Sequence, residues 1–206
     1  DIVNTHLSNF TEYIGTIGYN KKVYSEREYD FLAFNQNDSV VANLNVRKAI
    51  AYGINKDLLI SNVLNNNKTI TKGPLDYGSY LSTDKELLSY DSEKAKKALE
   101  DDGYSISKGK YYKDGKALTI TILVCQDYAD RVKVAENIKA QLSQVGITVN
   151  ISSVNSQIYK NAIENKSYQV MLTGILNSIN PSLDYFYGAN NLANYNNGDV
   201  LSLIHI

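Results

Sequence analysis

The sequence predicts an α/β fold: a mixed sheet with a parallel β-α-β-α-β core, flanked by helices. Three observations carry this expectation. From Leu118 to Leu176, apolar runs suited to strands alternate with stretches whose apolar residues recur at helical spacing. An aromatic run, Tyr29–Asn35, leads into two successive helical segments. Punctuating residues (Asn55, Gly103, Asp114-Gly115, Gly146) fall between these stretches rather than inside them. Strands and helices in this order imply parallel strands joined by right-handed crossovers.

The elements follow in order. Tyr29, Phe31 and Phe34, with Leu32 and Ala33 among them, suit a core strand better than a two-faced surface strand. Asn43 and Asn45 are candidate N-caps for a helix over Val46–Ile54, with Val46, Ala49, Ile50 and Gly53 as its inward stripe. Asn55 can cap a second helix, Lys56–Leu64, turning Leu59, Ile60, Val63 and Leu64 to the same core. Asn65–Leu88 reads as loop. Asp91 caps a helix carrying Ala95, Ala98 and Leu99, which Gly103 stops. Tyr111–Val124 reads as a hairpin about Asp114-Gly115, its second arm alternating Leu118, Ile120, Ile122 and Val124. A helix over Tyr128–Val145 presents Val132, Ala135, Ile138, Leu142 and Val145, and Gly146 ends it. Ile147–Val154 is a strand and Ser156–Asn165 a short helix with apolar Ile158, Tyr159 and Ile163. Tyr168–Leu176 is apolar enough to be a central strand, and Pro181 opens a short aromatic segment before an Asn-rich loop.

Composition narrows the function. With 206 residues, the chain can bury a full core. A formal net charge of -1 with mixed signs argues against nucleic acid and anionic membranes as partners. A lone Cys125 cannot form an internal disulfide, and with only His6 and His205 besides, no thiolate or imidazole metal cluster can be assembled. No G-x-S-x-G elbow, P-loop or G-x-G-x-x-G after a strand is present. Cys125 reads as a small buried hydrophobe. Glu100-Asp101-Asp102 reads as a solvated helix end, and Lys94, Lys96 and Lys97 as a solvated helix face. No catalytic residue, metal site or cofactor is expected.

The place left for a site is the carboxyl end of the last parallel strand, because open α/β sheets bind ligands beyond their strand ends. The candidates there are Thr173, Gly174, Ile175, Leu176, Asn177 and Ser178. Gly174 would let another backbone approach, with exposed amide and carbonyl groups pairing to an extended peptide. The plainer alternative is that Gly174 relieves packing and Asn177–Asn180 is an ordinary turn into Pro181.

FLAFN (31–35), a short polar loop, VRKAIAYGINKDLLISNVL (46–64) and Gly73–Pro74 resemble the oligopeptide- and dipeptide-binding proteins of ABC importers, the extracellular solute-binding proteins of family 5. The phrase Tyr-Asp-x-x-x-Ala-x-x-x-Leu, closing in Gly-Tyr at 103–104, continues the resemblance, which runs in order to about Val200. It implies most of the second lobe of a bilobal, periplasmic-binding-protein-like fold. Residues 1–26 would then be a remnant leaving the first lobe, and 27–200 the second-lobe domain. Residues 201–206 back-translate to a transposon end used in sequencing libraries and are read as a read-through scar.

The resemblance further implies capture of peptides or a related small solute between two lobes, and delivery to membrane permease and ATPase subunits. The protein would be an extracytoplasmic, lipid-anchored monomer. Several family members hold a peptide's α-amine with an Asp just before a Pro. Here that position is Asn177 or Ser178, and a neutral amide offers no charge-assisted pairing. Two other uses of such a domain stay open: the sensing half of a transcription regulator, and the capture of a metal chelate or oligosaccharide. Arg47 is read as a structural hydrogen-bonding or ion-pairing residue rather than a ligand contact.

Overall fold

The structure, a computed structural model, describes residues 27–75, 88–177 and 182–196. The expected first-lobe remnant (1–26), most of the second half of the Asn65–Leu88 loop, Ser178, Pro181 and the terminal 201–206 lie outside the described residues.

Strand β1 (Glu28–Phe34) leads into helices α1 (Leu44–Gly53), α2 (Lys56–Val63) and, further on, α3 (Ser92–Asp101). Asn43 rather than Asn45 caps α1, accepting from the amides of Asn45 and Val46. The predicted stripe of Val46, Ala49, Ile50 and Gly53 is buried. Asn55 caps α2 through the Leu58 amide, but no residue inside α2 is buried. Leu59 packs against the main core and Leu64, its C-cap, is buried, while Gln141 of the long helix accepts from the Asn55 amide at 2.6 Å and donates to the Asn55 carbonyl at 3.3 Å. Arg47 donates to the carbonyls of Val41 (2.9 Å) and Ala42 (2.6 Å), tying the loop that enters α1.

Next come the short strands β2 (Ser105–Ser107), β3 (Lys110–Lys113) and β4 (Lys116–Ala117). They form a small antiparallel sheet in the order β2-β3-β4. The Asp114-Gly115 turn is as expected, both residues at positive φ (50° and 74°). The second arm of that hairpin is not one strand, however. It leaves the small sheet at Leu118 and enters the main sheet as β5 (Thr119–Cys125). The reason is Tyr111, fully buried, whose amide bonds to the Gly146 carbonyl at 3.1 Å and whose hydroxyl reaches Glu100 at 3.1 Å. Gly146, at φ +86°, has that ring against it, so a β-carbon there would meet Tyr111 Cδ2 at 3.0 Å.

The remaining elements are α4 (Ala129–Gln144), β6 (Thr148–Val154), α5 (Ser156–Glu164), β7 (Val170–Leu176) and α6 (Asp184–Tyr187). The main sheet has the order β1-β7-β5-β6, with β5 parallel to both β6 and β7 and β1 antiparallel to β7. This is the predicted mixed sheet with a parallel core. β7 is central as expected, whereas β1 is an edge strand. Its aromatics read as core because α6 covers them: Phe31 lies edge-on to Tyr185 and Phe186, with ring centroids 6.4 and 5.1 Å away.

Two cores sandwich the sheet. Ile120, Ile122 and Val124 of β5 face α1, α3 and α4, while Leu123, Cys125 and Met171 face Tyr159 and Ala162 of α5. Within α5 it is Tyr159 and Ala162 that are buried, and Ile158 points outward at 52 % exposure. At the amino end of β7, Asn35 is a buried junction. Its Nδ2 donates to the carbonyls of Lys166 (3.0 Å) and Tyr168 (2.8 Å), and its Oδ1 accepts from Asn37 and Asn194.

Candidate functional site

The chain runs β5, α4 on one face, β6, α5 on the other face, and then β7 on the far side of β5. The carboxyl ends of β5 and β7 are therefore neighbours, with the crossover helices α4 and α5 on opposite faces of the sheet, the arrangement that opens a crevice in α/β sheets. The ladder shows the opening. β5 and β7 are paired only at Ile122↔Val170 and Leu123↔Met171, although β5 continues to Cys125 and β7 to Leu176. Beyond that point Tyr159 takes over, its hydroxyl donating to the Leu172 carbonyl at 2.9 Å. Burial pushes the Tyr159 phenol up to about 12, against the smaller opposing effects of a hydrogen bond with Thr173 and the charge of Arg131.

The other side of β7 is filled. β1 runs along its whole length, from Glu28↔Leu176 to Phe34↔Val170. The backbone available for strand addition along Thr173–Leu176 is thus the side facing β5. Of the sequence candidates, Thr173 is buried, Gly174 and Ile175 are half-buried and Leu176 is exposed. Asn177 is engaged: its amide bonds to the Arg27 carbonyl at 2.9 Å, and its Nδ2 donates to the Pro74 carbonyl at 2.7 Å. Ser178 lies outside the described residues.

What lies over Gly174 is a guanidinium. Arg131, in the first turn of α4, reaches across β7, donating from Nε to Asp30 at 2.9 Å and from Nη2 to Glu28 at 2.8 Å. A β-carbon at Gly174 would sit 2.2 Å from Arg131 Nη2 and 2.4 Å from Asp30 Oδ1. Lys68 approaches the same carboxylates, at 3.1 Å from Glu28 and 3.8 Å from Asp30. Burial lowers the Arg131 pKa, but Asp30 and Glu28 outweigh it and the group is held above its ordinary value. Tyr128 stacks on the guanidinium, its ring centroid 4.5 Å from Cζ.

Sequence reasoning missed Arg131, Tyr159 and the Glu28–Asp30 pair. The signal for the first was present: a cation in the first turn of the helix that follows the strand at a switch point. The carboxylates gave none, because their partner is about a hundred residues away in sequence. Among the described residues, no group of three or more His, Cys, Asp or Glu is placed to hold a metal, and no helix is long and apolar enough to cross a membrane. Cys125 is buried, with Asp127 Oδ2 3.7 Å from its sulfur. The crevice offers hydrogen-bonding groups and aromatic surface, which suit holding a ligand.

A family model described as "Bacterial extracellular solute-binding proteins, family 5 Middle" matches residues 1–197. The glutathione-binding protein GsiB of Pectobacterium atrosepticum is 27 % identical over 145 residues, covering 70 % of this chain and 26 % of the relative. The nickel-binding periplasmic protein of Escherichia coli is 29 % identical over 157 residues, covering 74 % of this chain and 30 % of the relative. In structure, the oligopeptide-binding protein AppA of Bacillus subtilis, solved with a nonapeptide, superposes with a TM-score of 0.79 at 21 % identity, over 87 % of this chain and 38 % of AppA. The chain thus spans between a quarter and two fifths of these relatives' lengths.

Proposed function

The chain belongs to the bacterial extracellular solute-binding proteins of family 5, a family that binds solutes rather than transforming them, and on that premise we propose that it forms most of the second lobe of the peptide-capturing component of an ABC importer. The ligand is held between this lobe and a first lobe that closes on it about a hinge, and is handed to membrane permease and ATPase subunits. The protein works as an extracytoplasmic monomer anchored by a lipid.

The observation that carries this reading is the carboxyl rim of the sheet. Four exposed large apolar residues cluster in the segments that end or follow its parallel strands: Tyr128 after β5, Ile158 after β6, Leu176 at the end of β7 and Tyr185 beyond it. Exposed apolar surface gathered at a switch-point crevice favours a face that becomes covered. The upstream chain also reaches the fold here, because β1 starts beside the end of β7. Likeness to a glutathione-binding and an oligopeptide-binding protein supports peptides as cargo, whereas likeness to a nickel-binding protein supports a metal chelate as the second reading.

Mass spectrometry of ligand co-purifying with the full-length protein separates these readings. Short peptides are expected; a metal complex in their place would transfer the proposal to the second reading. Since most affinity comes from enclosure between lobes, residues 27–200 alone should bind weakly. Micromolar peptide affinity for that fragment by calorimetry would contradict the two-lobe mechanism.

A further inference from the structure

The guanidinium of Arg131 is held along one edge only. Nε and Nη2, the donors of that edge, are taken by Asp30 and Glu28. Nη1 has no acceptor among the described residues. Among the described residues no fully buried side-chain nitrogen or oxygen lacks a partner, so Nη1 is not fully buried. The side chain is otherwise only 13 % exposed, clamped by two carboxylates and stacked on Tyr128. It is thus a fixed donor over β7, with one nitrogen left for a further acceptor.

We propose that Arg131 is a ligand contact that donates from Nη1 to an uncharged oxygen acceptor, an amide carbonyl of the bound solute, and that Tyr128 forms the adjoining wall. This inference rests on the binding function proposed above. The acceptor is neutral because the carboxylates of Glu28 and Asp30 lie directly against the guanidinium, 2.8 and 2.7 Å from Nη2. A ligand carboxylate brought to Nη1 would gain the guanidinium but meet two carboxylates behind it. A carbonyl takes the charge-assisted hydrogen bond without that repulsion. Because guanidinium N–H bonds lie in the plane of the group, the acceptor approaches in that plane. Preorganisation by the two carboxylates removes the rotamer entropy that a free arginine would lose on binding.

The test uses the full-length protein, with a pentapeptide pool, glutathione and a nickel–histidine complex as probes, each peptide offered as free acid and as C-terminal amide. Arg131→Lys keeps a cation for Asp30 and Glu28 but has no donor at Nη1. Binding of the captured peptide should weaken about tenfold to a hundredfold, equally for acid and amide. Affinity within about threefold of the wild type would overturn the proposal, as would a loss confined to the free acids, which identifies a carboxylate contact. A second variant, Glu28→Gln/Asp30→Asn, guards against misfolding of the first. It leaves Nη1 in place but loosens its clamp, so binding weakens less than with Arg131→Lys if Arg131 touches the ligand. Binding lost with this pair to the same extent as with Arg131→Lys means that Arg131 only positions β7, and the contact is refuted. Failure of the wild type to bind any probe defeats the binding function itself, and this inference with it.

Discussion

Replacing Gly174 by alanine tests the ion-pair bridge over β7. Gly174 sits in an ordinary strand conformation, so a methyl group meets no backbone strain there. The obstacle is Arg131 Nη2 at 2.2 Å and Asp30 Oδ1 at 2.4 Å from the added carbon, each more than 1 Å inside an ordinary contact of about 3.5 Å. Both atoms are the ends of side chains and can lift away, so the cost is the lost pairing rather than a rigid clash. Breaking a fully buried pair costs about 3–5 kcal/mol. Here the side chains of Arg131, Glu28 and Asp30 are 13 %, 29 % and 35 % exposed, so solvent screening reduces this to about 2 kcal/mol. Alanine returns about 0.5–1 kcal/mol through the smaller entropy of its unfolded chain. The net loss is about 1–1.5 kcal/mol, or about 2–6 °C in Tm for a domain of this size. Thermal melts of wild type, Gly174→Ala, Arg131→Ala and the double variant form a cycle. In the Arg131→Ala background the cost of Gly174→Ala should vanish or reverse. An undiminished cost there, or no cost in the wild-type background, would refute the reasoning.

Two further substitutions probe the site's supports. Tyr159→Phe leaves the Leu172 carbonyl without its donor where β5 and β7 part, and should cost about 1–2 kcal/mol in thermal or urea unfolding; wild-type stability would count against the bridge. Asp102 joins α1, α3 and β3, accepting from Asn43 at 2.8 Å and Lys113 at 2.9 Å. Burial raises its pKa, but these bonds outweigh burial and hold the carboxyl below its ordinary value. Its stabilisation is therefore present above the unfolded pKa of about 3.9 and lost as pH falls through the lower folded value. The stability gap between wild type and Asp102→Asn, about 1 kcal/mol at neutral pH given the exposure of Lys113, should close in acid; a gap that widens in acid would contradict the sign.

Much of the fold was legible because it is written in local patterns. The stripes of α1 and α4, the caps at Asn43, Asn55 and Asp91, and the Asp114-Gly115 turn each depend on residues within a few positions. What escaped is decided by distant partners. β2 was not foreseen because Ser105–Ser107 is a three-residue, exposed strand that pairs only through a second turn, Lys108-Gly109 at φ 50° and 75°. β1 carries apolar residues on both faces, and only the arrival of α6 and β7 makes that an edge strand rather than a central one. The candidate strand end was chosen from topology alone. Arg131, which lies over that strand end, was not singled out, since the contacts that fix it bridge residues 28–30 to 131. The stretch that identifies the family sits elsewhere: Asn35 locks the amino end of β7, about 17 Å along the strand from Gly174.

The central claim is that the carboxyl rim at the β5–β7 crevice is the ligand-bearing face. Hydrogen–deuterium exchange of the full-length protein, free and saturated with its captured ligand, tests it directly. Protection is expected at Tyr128–Arg131 and Thr173–Asn177, with little change around Asn35 and the β2-β3-β4 sheet. Protection at those distant segments, with the β5–β7 rim exchanging as freely as before, would contradict the account.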